Sequence, residues 1–306
     1  MPIKGIFVDT WHVGVETIAK VDELINFCNV TGITDIYLQV RRRADAYYDS
    51  AYEPKANVGE YPYTFDLLAE ILKKAGNIRV HAYLTMFQLW RIKNANVGQF
   101  PVEWTMRDNK EVVYLNPLIP AVQDHLTKVC KDIVSKYNVY GLCFESFRYP
   151  ERVMIVPGQE FDIIEESPFE VRFETLTALL ERIRIETGEV RDIELSCCVK
   201  SNGDTLDHDV QFTSADWINW LDNGVIDKAI CLLMNKKIEL IRRWSLLLKG
   251  KSNVIVGLGP CFVSLEGLRE HIDIMKNMDL VFFSYETYSK DKTESRSEFI
   301  DILKSI

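Results

Sequence analysis

The run GLCFE at Gly141–Glu145 shows the pattern that decides the fold of this chain. Its large apolar residues, Leu142 and Phe144, share one parity, and the small Cys143 and the charged Glu145 share the other. Because successive side chains of a β-strand point to opposite faces, the run predicts a strand with one apolar face and one face that ends in a carboxylate. Such a strand is typical of a parallel barrel, in which the apolar face packs under helices.

Strand-like runs of this kind alternate with amphipathic helical segments along all 306 residues. The candidate strands are Gly5–Asp9, Asp35–Arg41, Arg79–Thr85, Gly141–Glu145, Ile193–Lys200, Lys228–Asn235, Asn253–Gly259 and Leu280–Glu286. The candidate helices are Val15–Val30, Phe65–Gly76, Ala121–Tyr137, Phe169–Thr187, Ser214–Asn223, Lys237–Leu248, Ser264–Asn277 and Ser295–Ser305. Eight such units with no low-complexity linker predict a single (β/α)8 TIM barrel domain over residues 1–306. A doubly wound open sheet is the alternative, but no GxGxxG motif opens the first strand-to-helix turn.

Charge and hydropathy exclude several classes of partner. The formal net charge is −9, whereas nucleic acids and anionic membranes are bound through a basic excess. The one dense basic cluster, Arg41–Arg43, is too short to change that balance. No apolar run reaches the roughly 18 residues of a membrane span, and the N-terminus has no apolar leader. We therefore expect a cytoplasmic protein with neither a nucleic-acid nor a membrane partner.

Seven cysteines without a CxxC motif point to the same compartment. Most lie inside apolar strand or helix patterns, which predicts buried, reduced thiols rather than disulfides or a metal site.

Strand parity also predicts a pocket. Inward-facing residues near the C-terminal strand ends of a barrel line its mouth. Seven residues are expected to converge there: Asp9, Arg41, Tyr83, Glu145, Lys200, Asn235 and Glu286.

The carboxylates of this set suggest acid/base chemistry. Cleavage of a glycosidic bond needs one protonated carboxyl group and one ionised carboxylate. Glu145 is the first candidate, and Glu286 or Asp9 is the second. The alternative is that some of these carboxylates form structural ion pairs with Arg41, Arg43, Arg148 or Lys200.

Aromatic residues follow the same strand ends. They are Trp11, Trp90, Trp104, Tyr47, Tyr48, Phe147, Tyr149 and Tyr288. Sugar rings stack on aromatic faces, so this placement favours a carbohydrate ligand over loop packing alone.

Metal chemistry has less support. The five histidines are scattered, and no HExxH or paired-histidine spacing occurs. A site built from Asp9, His12 and His81 is geometrically conceivable, but a hydrogen-bonded place inside the barrel is the simpler interpretation of His81. We expect no metal and no cofactor. Cys143, one pleat below Glu145 and without a paired histidine, is not expected to act as a nucleophile.

Several of these segments resemble the glycosyl hydrolase-like family 10, a group of YngK-like glycosidases. They are GIFVDTWH (residues 5–12), DIYLQVRRRADAYYDSAYEP (35–54), VHAYLTMFQLW (80–90), YLNPLIPAVQDHL (114–126), GLCFESFRYP (141–150) and FSYE (283–286). The resemblance implies a (β/α)8 fold and activity on glycosidic bonds. By this resemblance, Glu145 occupies a position where the family usually has Asp, and Arg148 and Tyr149 match the Arg and Tyr of the family motif. Arg41 and Arg43 fall in its second-strand basic cluster.

The chain departs from the family pattern at several points. Glu145 carries one methylene more than the usual Asp, and Cys143 replaces a usual His. LMNK at residues 233–236 stands where the family often has a PMNY-like run. Much of the family is secreted or lipid-anchored, unlike the expectation here. These changes imply either a different substrate or a site that has lost its chemistry.

The sequence thus predicts a glycoside hydrolase with Glu145 as one essential carboxylate and Glu286 or Asp9 as the other. Its predicted substrate-binding residues are Arg41, Arg43, Tyr83, Trp11, Trp90, Arg148, Tyr149 and Asn235. The cationic lining indicates an anionic sugar, such as a uronic or muramic acid. The alternatives are a non-catalytic carbohydrate-binding barrel and a metal-assisted hydrolase or isomerase. Nothing specifies the oligomeric state.

Overall fold

The computed structural model describes residues 2–10, 14–56, 64–91, 99–108, 112–150, 154–155, 169–201, 205–206, 210, 213–234, 237–288 and 293–306. Its barrel strands are β1 (Lys4–Val8), β2 (Asp35–Arg41), β3 (Arg79–Thr85), β7 (Gly141–Glu145), β9 (Glu194–Lys200), β10 (Lys228–Leu233), β11 (Val254–Leu258) and β12 (Asp279–Phe282). These strands are parallel and close in sequence order, with β12 paired to β1. The prediction of a (β/α)8 TIM barrel is confirmed.

Eight α-helices accompany the strands in the described part of the chain. They are α1 (Ile18–Thr31), α2 (Leu67–Lys74), α3 (Pro120–Lys136), α4 (Phe169–Gly188), α5 (Trp217–Asp222), α6 (Ile238–Leu247), α7 (Leu265–Met275) and α8 (Thr293–Lys304). Side chains mark several helix starts: Thr17, Asp66 and Ser264 each accept a hydrogen bond from a backbone N–H three residues later. Gly32 ends α1 in the left-handed conformation, which glycine adopts without strain.

A second sheet, not predicted from the sequence, stands on the barrel. It contains β4 (Gln88–Arg91), β5 (Thr105–Asp108), β6 (Val112–Leu115) and β8 (Met154–Ile155), in the antiparallel order β4-β6-β5-β8. Its strands come from the segments that follow β3 and β7. This sheet therefore lies on the C-terminal side of the barrel, where the candidate site was expected.

The barrel has two apolar layers, as strand parity predicts. Inside, residues such as Phe7, Tyr37, Tyr83, Ile230 and Val281 form one buried cluster. Outside, the opposite faces of the strands pack under the helices in a larger cluster. Inward and outward residues are thus separated as the alternation in the sequence indicates.

Polar residues fill the N-terminal end of the barrel. The buried Asp35 accepts hydrogen bonds from Arg79 Nη2 at 2.6 Å and from Thr34 Oγ1 at 2.6 Å, and it lies 2.9 Å from His81 Nε2. His81 is fully buried and stacks on Tyr37 with ring centroids 4.4 Å apart. His81 lies near the start of β3, four positions before Thr85 at its C-terminal end. It is therefore a hydrogen-bonded residue inside the barrel, as expected.

We predict that Asp35→Asn destabilises the fold by roughly 3 kcal/mol at pH 7. Burial would raise the pKa of Asp35, but hydrogen bonds from His81, Arg79 and Thr34 outweigh it and lower that pKa. The contribution of ionised Asp35 to stability is complete above its unfolded-state pKa of about 3.9. It is lost as pH falls through the lowered pKa of the folded state. The free energy of unfolding of the wild type and of Asp35→Asn should be measured with urea at pH 7 and at pH 3. The difference between the two proteins should be smaller at pH 3.

The matched control is Asp22→Asn, which breaks the exposed ion pair of Asp22 with Lys74. Its cost should be below about 1 kcal/mol. A loss for Asp35→Asn no larger than for Asp22→Asn would contradict a stabilising role for the buried cluster.

Candidate active site

Glu145 ends β7 at the C-terminal mouth and is half-buried. Its Oε2 accepts a hydrogen bond from Thr85 Oγ1 at 2.6 Å, and Tyr83 is a second hydrogen-bonding neighbour. Ser146, the next residue, has a positive φ of 54°, so the chain turns sharply directly after the carboxylate. Glu145 forms no ion pair with any residue that the structure describes. The structural ion pair considered from the sequence is therefore not seen here.

A chain of hydrogen bonds connects Glu145 with the end of β1. Thr10 donates to Gln39 Oε1 from its N–H at 3.2 Å and from its hydroxyl at 3.1 Å. Gln39 Nε2 in turn donates to Thr85 Oγ1 at 3.5 Å, and Thr85 donates to Glu145. Gln39 and Thr85 were not among the residues predicted to line the pocket. The structure shows that they join four neighbouring strand ends.

Asp9 and Glu286 form a second acidic group, where β1 meets the segment after β12. Their residues are 6% and 3% exposed, respectively. Ser284 Oγ donates to Asp9 Oδ2 at 3.2 Å. A Cβ added at Gly14 would lie 2.7 Å from Glu286 Cγ, which shows how closely the backbone after β1 covers this carboxyl group.

Burial and the neighbouring charge of Asp9 raise the pKa of Glu286 well above its ordinary range. Nearby donors, the Ser284 hydroxyl and the backbone N–H groups of Asp9 and Glu286, oppose this rise only in part. Glu286 therefore favours its protonated form, because its negative charge would be buried close to that of Asp9.

Glu286 reaches the mouth by a route other than the predicted one. The sequence predicted a strand through Glu286, but β12 ends at Phe282, and Tyr285–Tyr288 form a 3-10 turn. The turn, and not strand pleating, brings Glu286 to Asp9. Strand β12, which precedes Glu286, is four positions from β7 in the eight-stranded ring, and β1, which precedes Asp9, is three positions from β7. The two acidic groups therefore follow strands on different sides of the barrel.

Arg41 does not lie in the mouth, which corrects the prediction from parity. The register between β2 and β3 shifts between Gln39 and Arg41, so Arg41 pairs with Leu84 instead of Thr85. This irregularity turns the Arg41 side chain to the same face as Leu84, away from the mouth. The Arg41 side chain is fully buried and forms an ion pair with Glu53 at 2.7 Å. That placement supports a structural role.

Arg42 is the basic residue near Asp9, and the sequence analysis did not single it out. Burial lowers its pKa to about 10, while the charges of Asp9 and Asp45 act in the opposite direction. Tyr47 is also in this group, and burial raises the pKa of its phenol to about 12. The predicted residue Arg43 forms an ion pair with Asp45 at 3.2 Å.

The floor below Glu145 is buried and weakly polar. Burial, followed by the charge of Glu145, raises the pKa of Tyr83 well above its ordinary value. Beneath it, Cys143 Sγ lies 3.7 Å from Cys198 Sγ, and both thiols are reduced and buried. Cys28, Cys130, Cys197 and Cys231 are likewise free and buried. With these neighbours, Tyr83 forms part of the floor of the mouth and has 2% of its surface exposed.

The other predicted binding residues have different positions. Tyr149 is fully buried, and the guanidinium carbon of Arg172 in α4 lies 5.7 Å from the centroid of its ring. Tyr149 therefore packs against α4. Arg148 is half-buried beside Trp217 and Trp220. Trp11 and Asn235 lie outside the described residues, as does His12 of the conceivable metal site. Trp90 belongs to β4, but its side chain is outside the description too.

The described residues give no separate indication of a metal or a membrane. They contain no group of three or more His, Cys, Asp or Glu side chains arranged to hold a metal ion. Within the same residues, no helix is long and apolar enough to cross a bilayer. A cavity of about 750 Å³ opens at the N-terminal end of the barrel beside Arg79 and Glu194, remote from the carboxylates of the mouth.

Comparison with known proteins relates the chain to carbohydrate-active enzymes. Residues 3–168 match the family model described as glycosyl hydrolase-like 10, a region that contains Asp9 and Glu145 but not Glu286. The glycosyl hydrolase YngK of Bacillus subtilis is 23% identical over 153 residues, 45% of this chain and 29% of YngK. The glycosyl hydrolase DigH of Escherichia coli is 27% identical over 174 residues, 49% of this chain and 39% of DigH. The matches thus span less than half of either relative.

Solved structures with the same fold extend over the whole chain. The glycoside hydrolase domain of PgaB (BpsB) from Bordetella bronchiseptica superposes with a TM-score of 0.75 at 12% identity, covering 99% of both chains. The catalytic domain of a β-amylase from Paenibacillus polymyxa gives 0.65 at 9% identity, covering 99% of this chain and 98% of its own. At such identities, the likeness concerns the fold alone.

Proposed function

Because the chain belongs to the glycosyl hydrolase-like 10 family, we propose that it hydrolyses a glycosidic bond at the C-terminal mouth of its barrel. The observation that carries the proposal is the presence of carboxyl groups in two different environments on different sides of that mouth. Glu145 is half-buried and accepts a hydrogen bond from Thr85, whereas Glu286 is buried against Asp9. Glycoside cleavage requires one carboxyl group of each protonation state.

In this proposal, Glu145 is the ionised carboxylate that attacks the anomeric carbon or activates a water molecule. The hydroxyl of Thr85 stabilises its negative charge. Glu286 holds a proton at neutral pH, because burial and the charge of Asp9 favour its protonated form. Glu286 donates this proton to the departing oxygen.

The proposed substrate is an oligosaccharide or polysaccharide. Arg42 near Asp9, Arg43 beside Asp45 and Arg148 beyond Glu145 support recognition of an acidic sugar, since guanidinium groups bind carboxylates in a bidentate manner. Trp11, Trp90 and Asn235 stay predictions for sugar contact.

The test is a screen of neutral and uronic-acid oligosaccharides and aryl glycosides with the wild-type protein. Product release is measured by reducing-end assay and chromatography, and binding is measured by calorimetry. Hydrolysis of at least one glycoside by the wild type, lost in Glu145→Gln, is the expected result. Binding without product would contradict hydrolysis and favour a carbohydrate-binding barrel. Activity that a chelator removes would instead favour a metal-assisted reaction.

A further inference from the structure

Arg41 is held at the centre of a buried polar group outside the mouth. Its Nε lies 2.9 Å from both carboxylate oxygens of Glu53, and its Nη2 lies 2.7 Å from Glu53 Oε1. Glu53 is fixed in turn by His125 Nε2 of α3 at 2.9 Å and, through its backbone N–H, by Ser50 Oγ at 3.1 Å. Although burial alone would raise the pKa of Glu53, the charge of Arg41 and the hydrogen bond with His125 lower it. Arg41 and Glu53 are therefore a charged pair.

The remaining end of the guanidinium reaches the end of β3. Arg41 Nη1 donates to the backbone carbonyl of Thr85 and to that of Met86, the latter at 2.8 Å. These same two residues hold Glu145. Thr85 donates its hydroxyl to the Glu145 carboxylate at 2.6 Å, and the N–H of Met86 donates to the Glu145 carbonyl at 3.0 Å.

We propose that Arg41 is a positioning residue, which fixes Thr85 and Met86 and through them sets the orientation of the Glu145 carboxylate. This inference rests on the proposed function. Arg41 touches neither Glu145 nor the mouth, so it acts only through the two residues between them. The bulge in β2 is what makes this possible, because it turns Arg41 outward to Glu53 while its guanidinium passes the end of β3.

The fork of an arginine is needed for this arrangement. One planar group contacts a carboxylate on one side and two carbonyls on the other, which a single ammonium group cannot reproduce. Arg41→Lys keeps the charge opposite Glu53 but cannot span both sets of acceptors. It should therefore release Thr85 and Met86 without leaving a buried unpaired carboxylate.

The experiment compares Arg41→Lys with Arg79→Lys, using the aryl glycoside that the wild type cleaves. Arg79 also donates to a buried carboxylate, that of Asp35, but at the opposite end of the barrel. We expect Arg41→Lys to lower kcat about 10- to 100-fold with KM within about twofold, because small misplacement of a reacting group mainly affects the chemical step. Arg79→Lys should lower Tm by a similar amount and leave kcat unchanged. Equal kcat values in the two variants would overturn the inference.

Thr85→Val and Thr85→Ser test the connecting residue. The valine variant removes the hydroxyl that Glu145 accepts from, and the serine variant retains it. We expect Thr85→Val to reproduce the kcat loss of Arg41→Lys, and Thr85→Ser to recover most of it. A loss of the same size in both variants would contradict a positional role for the hydroxyl.

A crystal structure of Arg41→Lys supplies a measurement that needs no activity. The Glu145 carboxylate should have moved out of hydrogen-bonding distance of Thr85 Oγ1, and an unmoved carboxylate would overturn the inference. If Arg41→Lys does not fold, the same measurement on Glu53→Gln replaces it. Failure of the proposed function is distinguishable, since full activity in Glu145→Gln would refute it whatever the geometry of Arg41→Lys.

Discussion

Replacement of Glu145 by glutamine is expected to lower kcat by about 10³-fold while leaving Tm nearly unchanged. Glutamine has the size of glutamate, so the side chain can still accept a hydrogen bond from Thr85. It can neither attack an anomeric carbon nor take a proton from water. Because Glu145 is half-buried and forms no ion pair with a described residue, the fold loses little when its charge is removed. Initial rates on a cleaved glycoside and thermal unfolding measure the two effects.

Glu194→Gln is the matched control for this variant. Glu194 is also a partly buried glutamate of a barrel strand, but it lies at the N-terminal end near His81. Its replacement should leave kcat unchanged. Activity within about twofold of the wild type in Glu145→Gln would remove Glu145 from the mechanism.

Replacement of Glu286 by glutamine is expected to lower kcat about 10²- to 10⁴-fold on substrates with poor leaving groups. Such substrates need a proton on the departing oxygen, and Glu286 is the described carboxyl group at the mouth whose raised pKa keeps it protonated. An aryl glycoside with an acidic phenol leaves without that proton and should be cleaved at a rate much closer to the wild-type one. An equal loss on both substrate types would contradict a role in proton donation.

The pH dependence of the wild type follows from the same group. Activity on poor leaving groups should fall as pH rises through the raised pKa of Glu286, because its proton is then lost. Asp9→Asn removes the repulsion that contributes to this pKa after burial, so the alkaline limb should move to lower pH. An alkaline limb that stays in place or moves upward would show that Asp9 and Glu286 are not coupled as proposed.

Stability gives an independent check of the titration of Glu286. A raised folded-state pKa means that its favourable contribution is complete below the unfolded value of about 4.3 and is lost as pH rises through the folded value. The free energy of unfolding of Glu286→Gln, relative to that of the wild type, should therefore increase as pH rises from about 5 to about 8. Urea unfolding at both ends of that range measures this change.

The barrel could be predicted from the sequence because its signals are local. Four of the eight strands show this best: β2, β3 and β7 have the predicted limits, and β9 begins one residue late. Alternating parity within each run places Tyr83 and Cys143 inside the barrel and Leu142 and Phe144 under the helices. These features depend on neighbouring residues in the chain, and strand pairing in order then closes the ring.

The candidate site was predicted only in part. Asp9 and Glu145 follow or end strands whose limits were nearly correct, and they lie at the mouth as expected. Arg41 faces Glu53 instead of the mouth, because one irregular position shifts the register of β2 and nothing local in RRR marks it. Glu53 was not considered at all, and His125 was considered only as one of five scattered histidines. Glu53 pairs with Arg41, 12 residues before it in the chain, and with His125, 72 residues after it.

What the sequence by itself determined is the repeating order of strands and helices and the face on which each regular strand residue lies, since both follow from periods of two and 3.6 residues. Only the tertiary structure decided which carboxyl groups meet and which arginine contacts the strand end behind the mouth. Bulges, 3-10 turns and the added antiparallel sheet arise from contacts between distant segments, and these contacts leave no periodic trace in the chain.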